Sequence, residues 1–333
     1  MPPLRDFFYH DQSNSTRQAI DRVLEFTSTY ENYFNEHFLL RPMMISLFYQ
    51  LRLQVFHETV FPNVVIGKEG WLYYTGEGNL DEYQRTQPFT INQLEDIRHR
   101  LFMAKNRLEK DEIVFLLVVA PNKESIYPEF LPQGIQPIGS VGKLDQLLQD
   151  FDQHGGPSIL DLRSILQEGK IQSLVYFHTD THWNSYGAYL AYREILLNLE
   201  SLLPELIPLP LDEFHEEQAK ITGDLTQYLP TGIPSQEETL DLIPNQPRRA
   251  STMPGADERT LITEVSDPTL PKAVIFHDSF GNGLVPYLSE HFRRVNYQRR
   301  FDLDFELIEQ EKPDVVIYEV AERYLRMLVE PSP

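Results

Sequence analysis

The chain has 333 residues, 41% of them hydrophobic and 12% aromatic, which is material for one large packed domain with additions and excludes a disordered polypeptide. Lysine and arginine number 29 against 50 aspartates and glutamates, a formal charge of -21, and a field of that sign repels nucleic acid at long range. Cysteine is absent, so disulfides, thiolate metal sites and a cysteine nucleophile are excluded while the redox compartment stays open.

Residues 1–62 are expected to form an N-terminal helical segment. Ile20, Val23 and Leu24 recur at helical spacing, and a second apolar run covers Met43 to Phe56. Arg41 and Pro42 break the most apolar early stretch, Phe38 to Leu51; no membrane span is expected, and a signal or anchor would lie upstream of Met1. Residues 63–333 are expected to form the main domain. Gly67-Lys68-Glu69-Gly70 reads as a turn before an aromatic strand at Trp71 to Tyr74, with Trp71 in the core. Thr90 and Gln93 make a capping box, and Leu94, Ile97, Leu101, Ala104 and Leu108 then repeat as an amphipathic helix does.

Ile113 to Ala120 is a buried strand that ends in the polar loop Pro121-Asn122-Lys123. A helix is expected over 142–152, a short strand over Ser158 to Leu162, and a strand over Leu174 to Phe177 running into Asp180-Thr181-His182-Trp183. The next helix begins near Asn184 or Ser185 and turns Tyr189, Tyr192, Leu196 and Leu199 to one face. Residues 204–271 are rich in Pro, Gly, Glu and Asp with little apolar periodicity, and read as a long irregular insertion. Ala273 to Phe276 is a strand stopping at His277-Asp278-Ser279-Phe280-Gly281, with a helix from about Gly283. Asp314 to Tyr318 is a last strand, followed by Glu319 and a helical tail over Glu322 to Val329. Alternating strands and helices predict an α/β fold, a mainly parallel sheet covered by helices on both faces. Arg293, Arg294, Arg299 and Arg300 form a basic stretch that reads as a solvated strand edge.

Ligands of α/β sheets sit outside the carboxyl ends of strands, and reactive groups stand at two such ends. Ser279 lies on a strand-to-helix turn, which lifts its hydroxyl out of the sheet and turns backbone N–H groups toward an anion; Gly281 and Gly283 permit close approach. A serine hydroxyl needs a base, and the base needs an acceptor on its other nitrogen. Asp180 and His182, two apart in extended chain, point the same way and supply both. Taken singly, Ser279 reads as a helix cap, His182 as a core histidine and Asp180 as a turn residue. Their joint presence at strand ends points to acyl transfer. A rival arrangement turns His178, Asp180 and His182 toward a Zn²⁺ ion, with His277 and Asp278 completing the shell.

The ordered motifs resemble the alginate O-acetyltransferase type of SGNH-like proteins. Gly67-Lys68-Glu69-Gly70-Trp71-Leu72-Tyr73 is similar to that family's entry motif, and Pro121-Asn122-Lys123 with Tyr127-Pro128 to its next block. Asp180-Thr181-His182-Trp183 with Asn184 to Gly187 is similar to its acid–base block, and Gly223-Asp224-Leu225 to its G-D-L element. Asp278-Ser279-Phe280-Gly281 resembles the serine block, and Glu319 with Glu322-Arg323-Tyr324-Leu325 the closing one. The resemblance implies that Ser279 takes the acyl group, His182 moves protons and Asp180 orients His182. Asn122, Lys123, Trp183, Gly281 and Arg323 become candidates for substrate or oxyanion contacts; Trp183 in particular is either a sugar platform or a buried prop behind the loop.

The resemblance further implies an extracytoplasmic enzyme that acetylates hydroxyls of an exopolysaccharide. A membrane-bound acyltransferase partner would deliver the acetyl group, and neither cofactor nor metal is needed. The acidic charge argues against carrying alginate itself over as the substrate. A carbohydrate acetyl-esterase with the same triad, the metal-dependent hydrolase and a non-catalytic glycan-binding protein are the alternative readings.

Overall fold

The computed structural model describes residues 60–229, 236–253, 255 and 257–329, together with the isolated Met44 and Leu47. The expected N-terminal helical segment therefore lies, but for its last residues, outside the described residues. A small antiparallel sheet comes first: β1 (Val60–Phe61), β2 (Val64–Ile66) and β3 (Leu72–Tyr74). After α1 (Asn79–Gln84), helix α2 (Ile91–Lys110) starts at the capping box. Thr90 Oγ1 accepts the Gln93 amide at 3.3 Å, and Gln93 Oε1 accepts the Thr90 amide at 2.9 Å, so two otherwise orphaned donors are satisfied reciprocally. Then follow β4 (Val114–Ala120), α3 (Lys123–Ile126), α4 (Lys143–His154), β5 (Ile159–Asp161), α5 (Arg163–Gly169) and α6 (Ser185–Leu199). The remainder comprises β6 (Phe214–Thr222), β7 (Gln236–Pro244), β8 (Ser251–Met253), β9 (Thr260–Glu264), β10 (Lys272–Phe276), α7 (Gly281–Leu288), β11 (Arg294–Gln298), α8 (Phe305–Glu311) and β12 (Val315–Ala321).

The central sheet runs β5-β4-β12-β10-β11-β9-β8. Its first five strands pair in parallel, and β9 and β8 extend it antiparallel at one edge. Successive side chains of a strand point to opposite faces, and the core divides accordingly. Leu116, Val118 and Ala120 of β4 join Ala273, Ile275, Val315 and Ile317 beneath α5, α6 and α7. Phe115, Leu117 and Val119 join Val274, Phe276, Val316 and Tyr318 beneath α2, α4 and α8. Near-continuous apolar runs in β4 and β12 follow from being covered on both faces.

Three expectations are corrected. Residues 174–177 form no strand of the sheet: Tyr176 makes an isolated bridge with Trp183, and the Phe177 and Asn184 amides bond to the His182 and Val175 carbonyls at 3.3 and 3.1 Å. The segment satisfies its backbone against its own continuation across the polar quartet. The insertion at 204–271 is not irregular, because β6 and β7 pair over nine residues each as a ribbon and β8 and β9 join the main sheet. Most of the ribbon's side chains are only partly buried or exposed, so there was little apolar period to read. Finally, Glu319 lies inside β12 and not after it.

Candidate active site

β4, β10 and β12 are parallel neighbours, so their carboxyl ends lie along one edge of the sheet. There the chain places Asn122 and Lys123, then His277 to Ser279, then Glu322 and Arg323. The 177–183 loop crosses the same edge. Across it, Ser279 Oγ stands 2.8 Å from His182 Nε2, and His182 Nδ1 stands 2.7 Å from Asp180 Oδ1. A carboxylate cannot donate, so the Nδ1 facing Asp180 carries the proton and Nε2 is free to accept the serine's.

The acid of this loop is held from several sides. Asp180 Oδ1 also accepts the His182 amide at 3.0 Å, and Oδ2 accepts the Asp224 amide at 2.9 Å. Asp224 in turn accepts the Thr181 amide at 2.8 Å and the Thr181 hydroxyl at 3.0 Å, and its other oxygen lies 3.7 Å from His182 Nδ1. Burial raises the Asp180 carboxyl, but the bonds from His182 and the Asp224 amide more than reverse this and hold it below the usual carboxylate range. Asp224 approaches because Gly223 has no side chain: a Cβ there would lie 2.2 Å from the Thr179 carbonyl. The Gly223-Asp224-Leu225 element was visible in the sequence, but its role as a second acid at His182 was not.

Lys123 was a candidate for substrate or oxyanion contact. It is buried instead, and its ammonium donates to the carbonyls of Asp180 at 2.6 Å and of Phe177 and His178 at 3.2 Å. It sits over the rings of Trp71 and Tyr73 at 5.7 and 5.4 Å, and Leu72 donates its amide to the same His178 carbonyl at 2.8 Å. From the opposite side Glu237 of the ribbon accepts the His178 amide at 3.0 Å and the Thr179 amide. Burial lowers the Lys123 ammonium to about 8, against the opposing pull of Glu124, Asp180, Glu237 and Asp224.

Trp183 is buried, with its ring edge-on to Phe280 at 4.9 Å and its Nε1 enclosed without a partner; it is a prop behind the loop and offers no face to a sugar. Gly281 makes room for the His277 ring, whose Cβ, Cγ and Nδ1 would all lie 2.5 Å from a Cβ there. Asn122 is buried, gives its amide to Glu322 at 2.8 Å and accepts Arg323 Nη1 at 3.4 Å, while its Nδ2 has no partner. Glu319 accepts the Asp278 amide at 3.2 Å behind the serine turn, and burial, with the nearby Asp278 charge, pushes its carboxyl well above the usual range. Arg323 lies over the Phe280 ring at 5.1 Å and 4.0 Å from Glu77.

Ser279 stands between two clefts. One of about 140 Å³ is shared by His182, Asp224, Tyr74, Tyr228 and Arg323. The other, about 700 Å³, is walled by His277, Arg259, Arg299, Arg300 and Tyr324. Of the basic stretch, Arg294 pairs with Glu264 and Glu311 and Arg300 with Asp302 and Asp304, so only part of it is a solvated edge. The rival metal triplet is not assembled, since the His178 ring packs against Trp71 at 4.4 Å. Among the described residues, the acid–imidazole group with ligand spacing is Asp180, His182 and Asp224; His277 and Asp278 do not join it.

A serine at the carboxyl end of a strand in a mainly parallel α/β sheet, in hydrogen-bond reach of an imidazole backed by a carboxylate, is the arrangement of a serine-dependent acyl-transfer enzyme of the α/β class. Comparison with known proteins agrees. Residues 64–296 match the family described as SGNH hydrolase-like domain, acetyltransferase AlgX, and the chain belongs to that family of O-acetyltransferases. It is 27% identical over 327 residues to the probable alginate O-acetylase AlgJ of Pseudomonas aeruginosa, covering 90% of this chain and 79% of that one. The Azotobacter vinelandii protein of the same name is 25% identical over 315 residues, with 90% and 78% covered. Bacillus cereus PatB1 shares the fold at a TM-score of 0.61 and 16% identity, covering 79% of this chain and 96% of that one. The O-acetyltransferase domain of Pseudomonas putida AlgJ does so at 0.54 and 20%, with 82% and 94% covered.

Proposed function

We propose that Ser279, His182 and Asp180 carry an acetyl group from a donor to a hydroxyl of a polysaccharide in two steps. The observation that supports this most is the unbroken relay of 2.8 and 2.7 Å from hydroxyl to imidazole to carboxylate. Ser279 Oγ attacks the acetyl carbonyl while His182 Nε2 takes its proton, and Asp180, with Asp224 beside it, stabilises the imidazolium. The Ser279 N–H and the start of α7 face the developing oxyanion, and Arg323 adds positive charge to the smaller cleft. The leaving group departs with the proton from His182, leaving an acetyl ester on Ser279. A sugar hydroxyl then gives its proton to His182 and attacks the ester carbon; the bond to Oγ breaks and Ser279 recovers its proton. If water attacks in place of the sugar, the same residues make an esterase.

The names of the AlgJ relatives support a glycan acceptor, and an extracytoplasmic enzyme supplied with acetyl groups by a membrane-bound acyltransferase follows from the family reading. The N-terminal segment 1–62 and the main domain 63–333 are kept as the proposed division of the chain. Mass spectrometry after incubation with p-nitrophenyl acetate tests the central step. An acetyl adduct on Ser279 is expected, absent from Ser279→Ala; turnover unchanged in Ser279→Ala would remove the serine from the mechanism.

A further inference from the structure

The larger cleft contains a second imidazole that the relay does not use. His277 is buried, with 4% of its surface exposed, yet its ring lines the cleft together with Ser279. Its Nδ1 lies 2.6 Å from the Asp278 carbonyl oxygen. A carbonyl accepts only, so Nδ1 carries the proton, and on a neutral ring Nε2 is then a bare acceptor. Burial lowers the His277 imidazole below its ordinary value, and the Arg299 charge works in the same direction, which keeps the ring neutral. The ring's place is set by Gly281, since any side chain there would overlap it. Gly281 in the serine motif thus has a second use: it seats an imidazole on the backbone of the nucleophile turn.

We infer that His277 Nε2 accepts a hydrogen bond from a second hydroxyl of the acceptor sugar, the neighbour of the one that attacks, and so selects a vicinal diol as acceptor. This rests on the acyl-enzyme reading. The attacking hydroxyl has a single proton, which goes to His182 Nε2. His277 therefore binds the adjacent hydroxyl and exchanges no proton in the step. The acceptor oxygen bonds to the acetyl carbon, the Ser279 Oγ–carbon bond breaks, and Oγ takes the proton back from His182. His277 is a specificity-determining residue at the acceptor side.

The test uses p-nitrophenyl acetate as donor and trans-1,2-cyclohexanediol or cyclohexanol as acceptor, with the acylation burst recorded before any acceptor is added. Wild type is expected to transfer to the diol roughly tenfold better per hydroxyl than to the alcohol, the value of one added hydrogen bond. His277→Asn keeps a donor for the Asp278 carbonyl but has nothing at the Nε2 position, and should lose that preference. His277→Gln places an amide oxygen near Nε2 and should restore part of it. A preference retained in His277→Asn, or absent in wild type, overturns the inference. So does a burst slowed in His277→Asn as much as the transfer, because His277 would then only hold the turn. Turnover of p-nitrophenyl acetate unchanged in Ser279→Ala would instead refute the acyl-enzyme reading itself, and this inference with it.

Discussion

Replacing Asp180 by asparagine keeps the shape of the side chain and changes one acceptor into a donor. Oδ1 accepts from His182 Nδ1 at 2.7 Å and from the His182 amide at 3.0 Å, and Oδ2 accepts from the Asp224 amide at 2.9 Å. All three partners are donors. An asparagine that keeps its oxygen toward His182 turns its NH₂ against the Asp224 amide, and the flipped rotamer turns it against both His182 donors. Either way a partly buried donor meets a donor, and the imidazolium that forms when Ser279 attacks loses its counter-charge. We expect kcat/KM for acetyl transfer from p-nitrophenyl acetate to fall by roughly 10³ to 10⁴, or about 4 to 5.5 kcal/mol in the transition state. Asp224, whose second oxygen is 3.7 Å from His182 Nδ1, supplies part of the residual activity, so the variant with Asp224→Asn added should fall further. A folded Asp180→Asn protein within about tenfold of wild type would refute the reasoning, because the carboxylate would then not be the group that His182 depends on.

Lys123→Met removes the ammonium that holds three carbonyls of the catalytic loop, and kcat should drop roughly 10- to 100-fold with KM little changed. The folded ammonium titrates near 8 against 10.5 unfolded, so the unfolded chain binds more protons between those values and wild-type stability gains from this group as pH rises through them. Denaturant titrations at pH 8 and 10 should show that gain in wild type and lose it in Lys123→Met. Glu322, raised by burial to about 7 from 4.5, has the opposite slope: its contribution is full below about pH 4.5 and declines as pH rises to about 7, by about 3 kcal/mol in the limit. Thermal unfolding of Glu322→Gln should flatten that dependence, and an unchanged slope would show that Glu322 does not titrate there. Glu319, held protonated behind the serine turn, should tolerate Glu319→Gln with activity within about threefold, whereas Glu319→Ala should cost about 2–3 kcal/mol through a cavity and an unpaired Asp278 amide; equal damage from both would mean the carboxyl is ionised.

Much of the frame was legible along the chain because its causes are local. The capping box and the three-four spacing of α2 are set by neighbours on one helix, and the apolar runs of β4 and β10 by burial on both faces. Asp180 and His182 could be read as a unit because two alternate residues share a face, and Ser279 because a strand ran into a turn with glycines. The ribbon was not legible, since strands that bury little carry no apolar period. Nor were the roles of Lys123, Glu237, Asp224 and His277.

Sequence alone therefore determined an α/β sheet and the residues able to supply a nucleophile, a base and an acid. Tertiary structure decided that His182 reaches Ser279, 97 positions away, that Lys123 serves the backbone of the loop, and that Trp183 and Glu319 are sealed in. The reason is physical. Whether a lysine is a ligand contact or a clamp, or a carboxyl is ionised or neutral, depends on burial and on partners from distant strands, and those are set only when parallel strands bring their carboxyl ends to one edge.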